Sequence, residues 1–222
     1  MMRAPAAATS TPQAARFDAL WRRCGLAERR ATGEVRASIF SLYNEPSRHF
    51  HGLQHIEDCL ARFDEITGLL QQPDAVELAL WFHDAIYVPG ARDNERQSAK
   101  LFRDAASAAE RAFADRVARL IMATKHTDEH QSGDRGFMVD IDLAGFGDRW
   151  EEFMRKGTAL REEFATQSDA QYFTAQVQFL RRLQSRPHFY STAYFRERYE
   201  AIAQDNVKRL LALRLAQGHG LA

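Results

Sequence analysis

The chain has 222 residues, with 30 Lys or Arg and 30 Asp or Glu, so its formal net charge is zero. A protein that binds nucleic acid through bulk electrostatics needs a basic face to displace counterions from phosphate, so this class is disfavoured. At 45% hydrophobic and 27% charged residues the composition is that of a folded globular protein, and the length suits one large domain or at most two small ones.

The first 15 residues are rich in Ala, Thr and Pro, contain no acid and lack the apolar core of a secretory signal. This composition predicts a disordered tail over residues 1–15, with an organelle-targeting segment as the weaker alternative. From Phe17 onward the apolar residues follow a helical period, and strand-like alternation is nearly absent. We expect helices near 16–24, 32–43, 53–70, 74–86, 93–106, 109–125, 148–165, 169–185 and 192–216.

These patterns predict an all-α fold, with a single domain over residues 16–222 built as a bundle of roughly nine helices. No run approaches the roughly 18 apolar residues of a membrane span. Cys24 and Cys59 are too few for a disulfide scaffold and form no Cys-x-x-Cys pair, so we expect two reduced thiols in a cytoplasmic protein. In the last expected helix one apolar stripe faces the core, formed by Phe195, Tyr199, Ile202, Leu210 and Leu213.

Two polar residues stand inside the most apolar stretch of the chain, residues 78–88. A helix that is apolar nearly all round is buried, and His83 and Asp84 occupy the middle of this one. An unpaired buried carboxylate is costly, so Asp84 needs a partner. A metal ion would satisfy the carboxylate and the imidazole together. An arginine beside Asp84 and a backbone carbonyl beside His83 would serve equally well, and this stretch alone does not decide between them.

Asp140 and Asp142 stand in a second apolar stretch, residues 137–144. Residues two apart on a helix point about 200° from each other, so both acids would rarely face one site. We expect Asp140 to cap the start of a helix and Asp142 to point inward as a ligand. The alternative is that both are cap or turn residues.

Three of the eight histidines lie within residues 49–55. His51 and His55 are four apart and share a face if a helix has begun by His51. A lone histidine at the position of His55 would be a core residue, but the buried His–Asp pair elsewhere favours a metal ligand.

Lys125 and His126 follow the apolar end of the helix expected over 109–125. Cations at a helix C-terminus interact favourably with the helix dipole, which explains both residues. Contact with a substrate phosphate, or a second metal, is the functional alternative.

Taken in chain order, His55, His83–Asp84 and Asp142 resemble the H…HD…D signature of the HD superfamily of metal-dependent phosphohydrolases. The flanking residues resemble the bacterial subgroup described as predicted HD phosphohydrolases, from about Tyr43 to about Leu211. The segments that carry the resemblance are YNEPSRHFHGLQHI (43–56), ELALWFHDAIY (77–87), DNERQSA (93–99), ATKH (123–126), DIDLAGFG (140–147), LREEF (160–164) and the tail 190–206.

The resemblance implies an all-helical HD-type fold around a divalent metal ion held by His55, His83, Asp84 and Asp142. It supplies no known substrate. Two imidazoles and two carboxylates without a thiolate form a hard, mixed site that suits Mn, Fe, Co, Ni, Zn or Mg. The Glu that nucleotidase and alarmone-hydrolase branches carry shortly after the His–Asp pair is absent, which disfavours those activities.

The expected reaction is hydrolysis of a phosphate ester by a metal-activated water, with a small phosphorylated substrate, of which a nucleotide is one candidate. Asp84 would act in catalysis through the metal. Glu95 could be a general base or hold the water, or it could simply favour the start of a helix. The residues expected to contact substrate are Arg48, His51, Lys125 and His126.

Two other functions stay open. Some HD superfamily members are di-iron oxygenases with extra histidines between the His–Asp pair and the last Asp, an interval that here contains His126 and His130. The second is a non-catalytic regulatory scaffold that binds metal or has lost it, since a fold alone does not prove activity.

Overall fold

The computed structural model describes residues 11–26, 32–106, 109–126 and 131–220, and within these ranges every regular element is a helix. The prediction of an all-α bundle is therefore confirmed. In this part of the chain no helix has the length and apolarity needed to cross a membrane. The ten α-helices found there are α1 (Pro12–Arg23), α2 (Thr32–Tyr43), α3 (Leu53–Ile66), α4 (Pro73–Phe82), α5 (Asn94–Ala105), α6 (Arg111–Ala123), α7 (Gly133–Asp142), α8 (Trp150–Glu163), α9 (Asp169–Gln184) and α10 (Ala193–Ala216).

All nine expected helices are present, with ends that differ by a few residues. α1 begins at Pro12, four residues before its expected start at 16, and the Thr11 hydroxyl accepts from the Ala14 amide as an N-cap. Residues 12–15 of the expected tail are therefore helical. Residues 1–10 of that tail lie outside the described residues.

α7 is not among the nine expected helix ranges, and the helix start expected at Asp140 is wrong, because α7 ends at Asp142. It begins at Gly133 and contains Gly136, and glycine is a poor helix former. A Cβ atom at Gly136 would lie 2.9 Å from the carbonyl oxygen of Gln131 and 3.2 Å from Cγ2 of Thr192. Close packing therefore requires glycine here, and tertiary contacts form a helix that local propensity does not favour.

α4 is the central helix, and every residue from Ala75 to Phe82 is buried. It packs against α1, α3, α5, α6 and α7. The ring of Phe17 lies 5.5 Å from that of Trp81, and Phe82 lies 5.1 Å from Phe102. Burial of each such side chain contributes roughly 1.5–3 kcal/mol, so the C-terminal end of α4 is held firmly in the core.

α10 packs against α9 and against a short 3-10 segment, Leu143–Gly147, that follows α7. Ile202 and Leu213 are 45% and 37% exposed, so the apolar stripe expected along this helix is wrong at these two positions. The buried Asn206 instead donates to a backbone carbonyl at Phe146. Hydrophobic periodicity cannot reveal such a polar anchor between α10 and the 3-10 segment.

Gly147 provides a test of this packing. A Cβ atom there would lie 2.8 Å from Cβ of Tyr199 and 3.1 Å from the hydroxyl of Tyr190. We expect Gly147→Ala to lower the free energy of unfolding by about 1–3 kcal/mol, because the overpacked α10 must shift. Urea unfolding followed by circular dichroism measures this.

The matched control is Gly157→Ala in α8, where a Cβ atom meets nothing within 4 Å. That substitution should raise the unfolding free energy by about 0.5–1 kcal/mol, since alanine is the better helix former. Equal effects of the two substitutions would contradict the packing argument.

Candidate metal centre

His55 lies in the first turn of α3 and is 6% exposed. Its Nε2 atom lies 3.2 Å from Nε2 of His83 and 3.2 Å from Oδ1 of Asp142. Because α3 begins at Leu53, His51 precedes the helix, so the condition under which His51 and His55 would share a helix face is not met. Both residues nevertheless reach the same site, His51 from the preceding loop.

The His83–Asp84 pair directly follows the end of α4 at Phe82, which corrects its expected place in the middle of a helix. Nδ1 of His83 lies 2.9 Å from the carbonyl oxygen of Leu80. An N–H donated there leaves the lone pair on Nε2 directed at the site. That Nε2 lies 3.0 Å from Oδ2 of Asp84 and 3.4 Å from Oδ1 of Asp142.

Arg48 holds the backbone after α4, whereas we expected it to bind substrate phosphate. Its guanidinium donates to the carbonyl oxygens of Asp84 at 2.6 Å, Ala85 at 2.8 Å and His51 at 3.3 Å. Its side chain is only 2% exposed. Arg48 thus satisfies backbone carbonyl groups of the segment that follows α4 and carries Asp84.

Two side chains of α5 also form hydrogen bonds with the backbone segment that follows α4. The Ser98 hydroxyl accepts from the Ile86 amide at 3.0 Å and donates to the Ile86 carbonyl at 3.2 Å. The Asn94 side-chain amide pairs in the same way with the amide and carbonyl of Val88, both at 3.0 Å. Side chains therefore take the place of helical hydrogen bonds at residues 84, 85, 86 and 88, which explains why an apolar stretch leaves the helix here.

Ser98→Ala tests this support. The change leaves the amide and carbonyl of Ile86 without their partner, which should cost about 1–3 kcal/mol of unfolding free energy. It should also weaken divalent-metal binding by about tenfold, since it loosens the segment that carries Asp84. Titration of metal-free protein against a chelating dye measures the second effect. Ser185→Ala, an exposed serine that donates to the Arg182 carbonyl, should change neither quantity.

Asp142 is the last residue of α7 and joins three histidines. Besides its contacts with His55 and His83 through Oδ1, its Oδ2 lies 2.9 Å from Nε2 of His126. Asp140 lies inside α7, so the expectation that it caps this helix is wrong. Its carboxylate instead accepts from the amides of residues 191 and 192, each at 2.7 Å, and holds the turn before α10.

His126 and Lys125 both follow α6, but only His126 lies at the candidate metal centre. His126 adopts a positive φ of 52°, which is uncommon for a residue other than glycine, and this backbone turns its ring toward Asp142. Lys125 is exposed and forms no ion pair with any described residue. His130, the other histidine considered for a second metal, lies outside the described residues.

The spacing of the donor atoms suits a metal ion. Ligands about 2.0–2.2 Å from an ion, in octahedral or tetrahedral arrangement, lie about 2.8–3.6 Å from their neighbours. The contacts among His55, His83, Asp84 and Asp142 that join these donors measure 3.0 to 3.6 Å. The four residues expected as ligands are thus brought together, although the set of donors that all lie within 4.8 Å of one another contains Cys59 and not Asp84.

Cys59 is a potential ligand that the sequence analysis missed. It lies one turn after His55 on the same face of α3, is 2% exposed, and its Sγ lies 3.7 Å from Nε2 of His55. One ligand atom from each of His55, Cys59, His83 and Asp142 lies within 4.8 Å of the others. A thiol thus stands among the candidate donors, which the expected set of two imidazoles and two carboxylates does not include. The i, i+4 spacing of His55 and Cys59 could have revealed it.

Charge in the cluster favours a cation. Burial tends to raise the pKa of Asp84 and Asp142, but the neighbouring histidines outweigh it and hold both pKa values below the ordinary range. For His83, burial tends to lower the pKa, and the two carboxylates outweigh it and raise the pKa well above the ordinary value. These two carboxylates, whose side chains are only 15% and 12% exposed, favour a nearby positive charge, which a divalent ion would supply.

Beside the cluster, Glu163 at the end of α8 orients His51. Its carboxylate accepts from the amides of Phe50 and His51, both at 2.8 Å, and lies 2.6 Å from Nδ1 of His51. The ring of Tyr87 stacks on His51 at 3.9 Å, and Nε2 of His51 lies 4.0 Å from Oδ2 of Asp84. Glu163 was not predicted, because nothing in the LREEF segment distinguishes it from its exposed neighbour.

Glu95 does not join these contacts. It lies half-buried in the first turn of α5, and its carboxylate forms no hydrogen bond or ion pair with the described residues. Its place matches the alternative of an acid at a helix start, where it interacts favourably with the dipole.

A cavity of about 330 Å³ opens beside the centre. His55, Cys59 and Asp142 line it on one side, and Arg62 and Lys156 line it elsewhere. Lys156 donates to carboxylates at 2.7 and 2.8 Å, so its charge is held in an ion network at the cavity wall.

Comparisons with protein-family models, with curated proteins and with solved structures found no match for this chain. The assignment to a class of enzyme therefore depends on the motifs and the geometry of the chain itself.

Proposed function

We propose that the chain is a metal-dependent phosphohydrolase of the HD type. The observation that carries this proposal is the convergence of His55, His83, Asp84 and Asp142 from three separate segments, with His55 and Asp142 at the wall of a cavity. The donors occur in the chain order of the HD signature. Their spacing and charge suit a divalent ion, and the cavity gives a substrate access to it.

A bound divalent ion would lower the pKa of a water molecule and polarise the phosphorus centre of a phosphate ester. His51 lies beside Asp84, where its Nε2 can exchange a proton with water or substrate while Glu163 fixes its orientation. Arg62 and Lys156 line the cavity wall, where Asp58 and Asp148 pair with them, so these two cations position the wall and do not by themselves select an anionic substrate. Arg48, by contrast, supports the backbone that carries Asp84.

The proposed substrate is a small phosphorylated molecule, with a nucleotide as one example. A cavity of about 330 Å³ is within the size range of small-molecule sites. The zero net charge of the chain does not favour a long nucleic-acid duplex.

The test is elemental analysis of protein purified without chelator or affinity metal, followed by assays with chromogenic phosphate mono- and diesters. The metal-free protein is reloaded in turn with Mn, Fe, Co, Ni, Zn and Mg. We expect one ion per chain and phosphate release that depends on the ion and is lost in Asp84→Asn. Metal binding without hydrolysis of any ester would overturn the phosphohydrolase and favour the regulatory scaffold.

A second candidate, a di-iron oxygenase, is favoured by the two-sided position of Asp142. Its Oδ1 faces His55 and His83 while its Oδ2 contacts His126, an arrangement that suits a carboxylate bridging two ions. Two irons per chain and a product whose formation needs oxygen would favour this function over hydrolysis.

A further inference from the structure

Cys59 is buried against the imidazole of a metal ligand. Its Sγ lies 3.7 Å from Nε2 and 3.9 Å from Nδ1 of His55, and within the described residues this ring is its hydrogen-bonding partner. A thiolate about 2.3 Å from zinc and an imidazole about 2.1 Å from it lie about 3.6 Å apart in a tetrahedral site. The observed separation therefore already matches that of two ligands on one ion.

We propose that Cys59 is a metal ligand that this centre uses for zinc-like ions, and that its ligation closes the centre to substrate. With His55, His83 and Asp142 it completes a set of four donors within 4.8 Å. The proposal that ligation by Cys59 excludes substrate rests on the proposed hydrolase function. The proposal that Cys59 binds the metal does not.

The choice of ligand follows from the chemistry of the ions. Zinc and cobalt accept thiolate and form four-coordinate sites, whereas manganese and magnesium favour oxygen ligands and a larger coordination number. On binding zinc, the Cys59 thiol releases its proton to solvent and a metal–sulfur bond forms. Four protein donors then leave no position for water, as in structural zinc sites. With manganese, Asp84 would take part and positions stay open.

Cobalt provides a direct optical test that needs no enzyme activity. Metal-free parent protein titrated with Co²⁺ should develop a thiolate-to-cobalt charge-transfer band in the near ultraviolet. Cys59→Ala and Cys59→Ser should abolish the band, while Cys24→Ala, which removes the other thiol, should keep it. A parent protein that binds Co²⁺ without this band, or variants at Cys59 that retain it, would overturn the proposal.

The affinities for zinc and for manganese distinguish a ligand role of Cys59 from a packing role. We expect Cys59→Ala to weaken zinc binding by about tenfold or more and to change manganese binding by less than about twofold. Equal losses for both ions would contradict a specific ligand role. If the charge-transfer band forms but no phosphate ester is hydrolysed, the ligation stands and the proposed function fails. If the manganese form hydrolyses esters and the band never forms, only this inference fails.

Discussion

Asp142→Asn is expected to weaken divalent-metal binding by about 100-fold or more and to abolish any ester hydrolysis that depends on the metal. Among the residues that the structure describes, Asp142 is the one carboxylate that contacts His55, His83 and His126 together. The amide keeps the shape of the side chain but loses the negative charge that attracts the ion. Competition for zinc or manganese against a chelating dye, with metal-free protein, measures the change.

The control for this variant is Asp134→Asn in the first turn of the same helix. Asp134 accepts from the amides of Gln71 and Gln72, at 2.9 Å each, and so serves the start of α4. It should lower stability slightly and leave metal binding unchanged. Parent-like metal affinity in Asp142→Asn would show that α7 contributes no ligand, and the centre would have to be reassigned to the other donors.

The candidate metal ligands His83, Asp84 and Asp142 were predictable because they interrupt apolar stretches. His83 and Asp84 stand among some of the most buried residues of the chain, and a buried charge requires compensation wherever the backbone runs. The same reasoning misplaced the backbone. The stretch is apolar enough to continue as a helix, but Arg48, Ser98 and Asn94 supply the hydrogen bonds that let it leave the helix after Phe82.

The supporting residues were not predictable, because their roles depend on contacts far apart in the sequence. Glu163 and His51 are separated by 112 positions, and no local pattern connects them. The sequence alone does not distinguish an Arg48 that binds phosphate from an Arg48 that donates to backbone carbonyl groups. α7 was missed for a similar reason, since Gly136 serves close packing against Thr192 at the expense of helical propensity.

Glu163→Gln should lower the free energy of unfolding by about 2–3 kcal/mol at neutral pH and reduce any ester hydrolysis that depends on His51. The buried carboxylate accepts from two backbone amides and the His51 ring, and hydrogen bonds to a charged group contribute about 1.5–3 kcal/mol. Glutamine keeps one acceptor but loses the charge. Urea unfolding followed by tryptophan fluorescence measures the stability, with Glu162→Gln at the exposed neighbouring position as control.

The pH dependence distinguishes the charge of Glu163 from its shape. Burial tends to raise its pKa, but the His51 ring and the two amides outweigh burial, so the folded-state pKa lies below the ordinary 4.5. The folded protein then binds this proton more weakly than the unfolded chain does. The stabilisation by Glu163 is therefore present above pH 4.5 and is lost as the pH falls through the folded-state pKa. The stability difference between the parent and Glu163→Gln should shrink in acid, whereas a difference that stays constant with pH would assign Glu163 a packing role only.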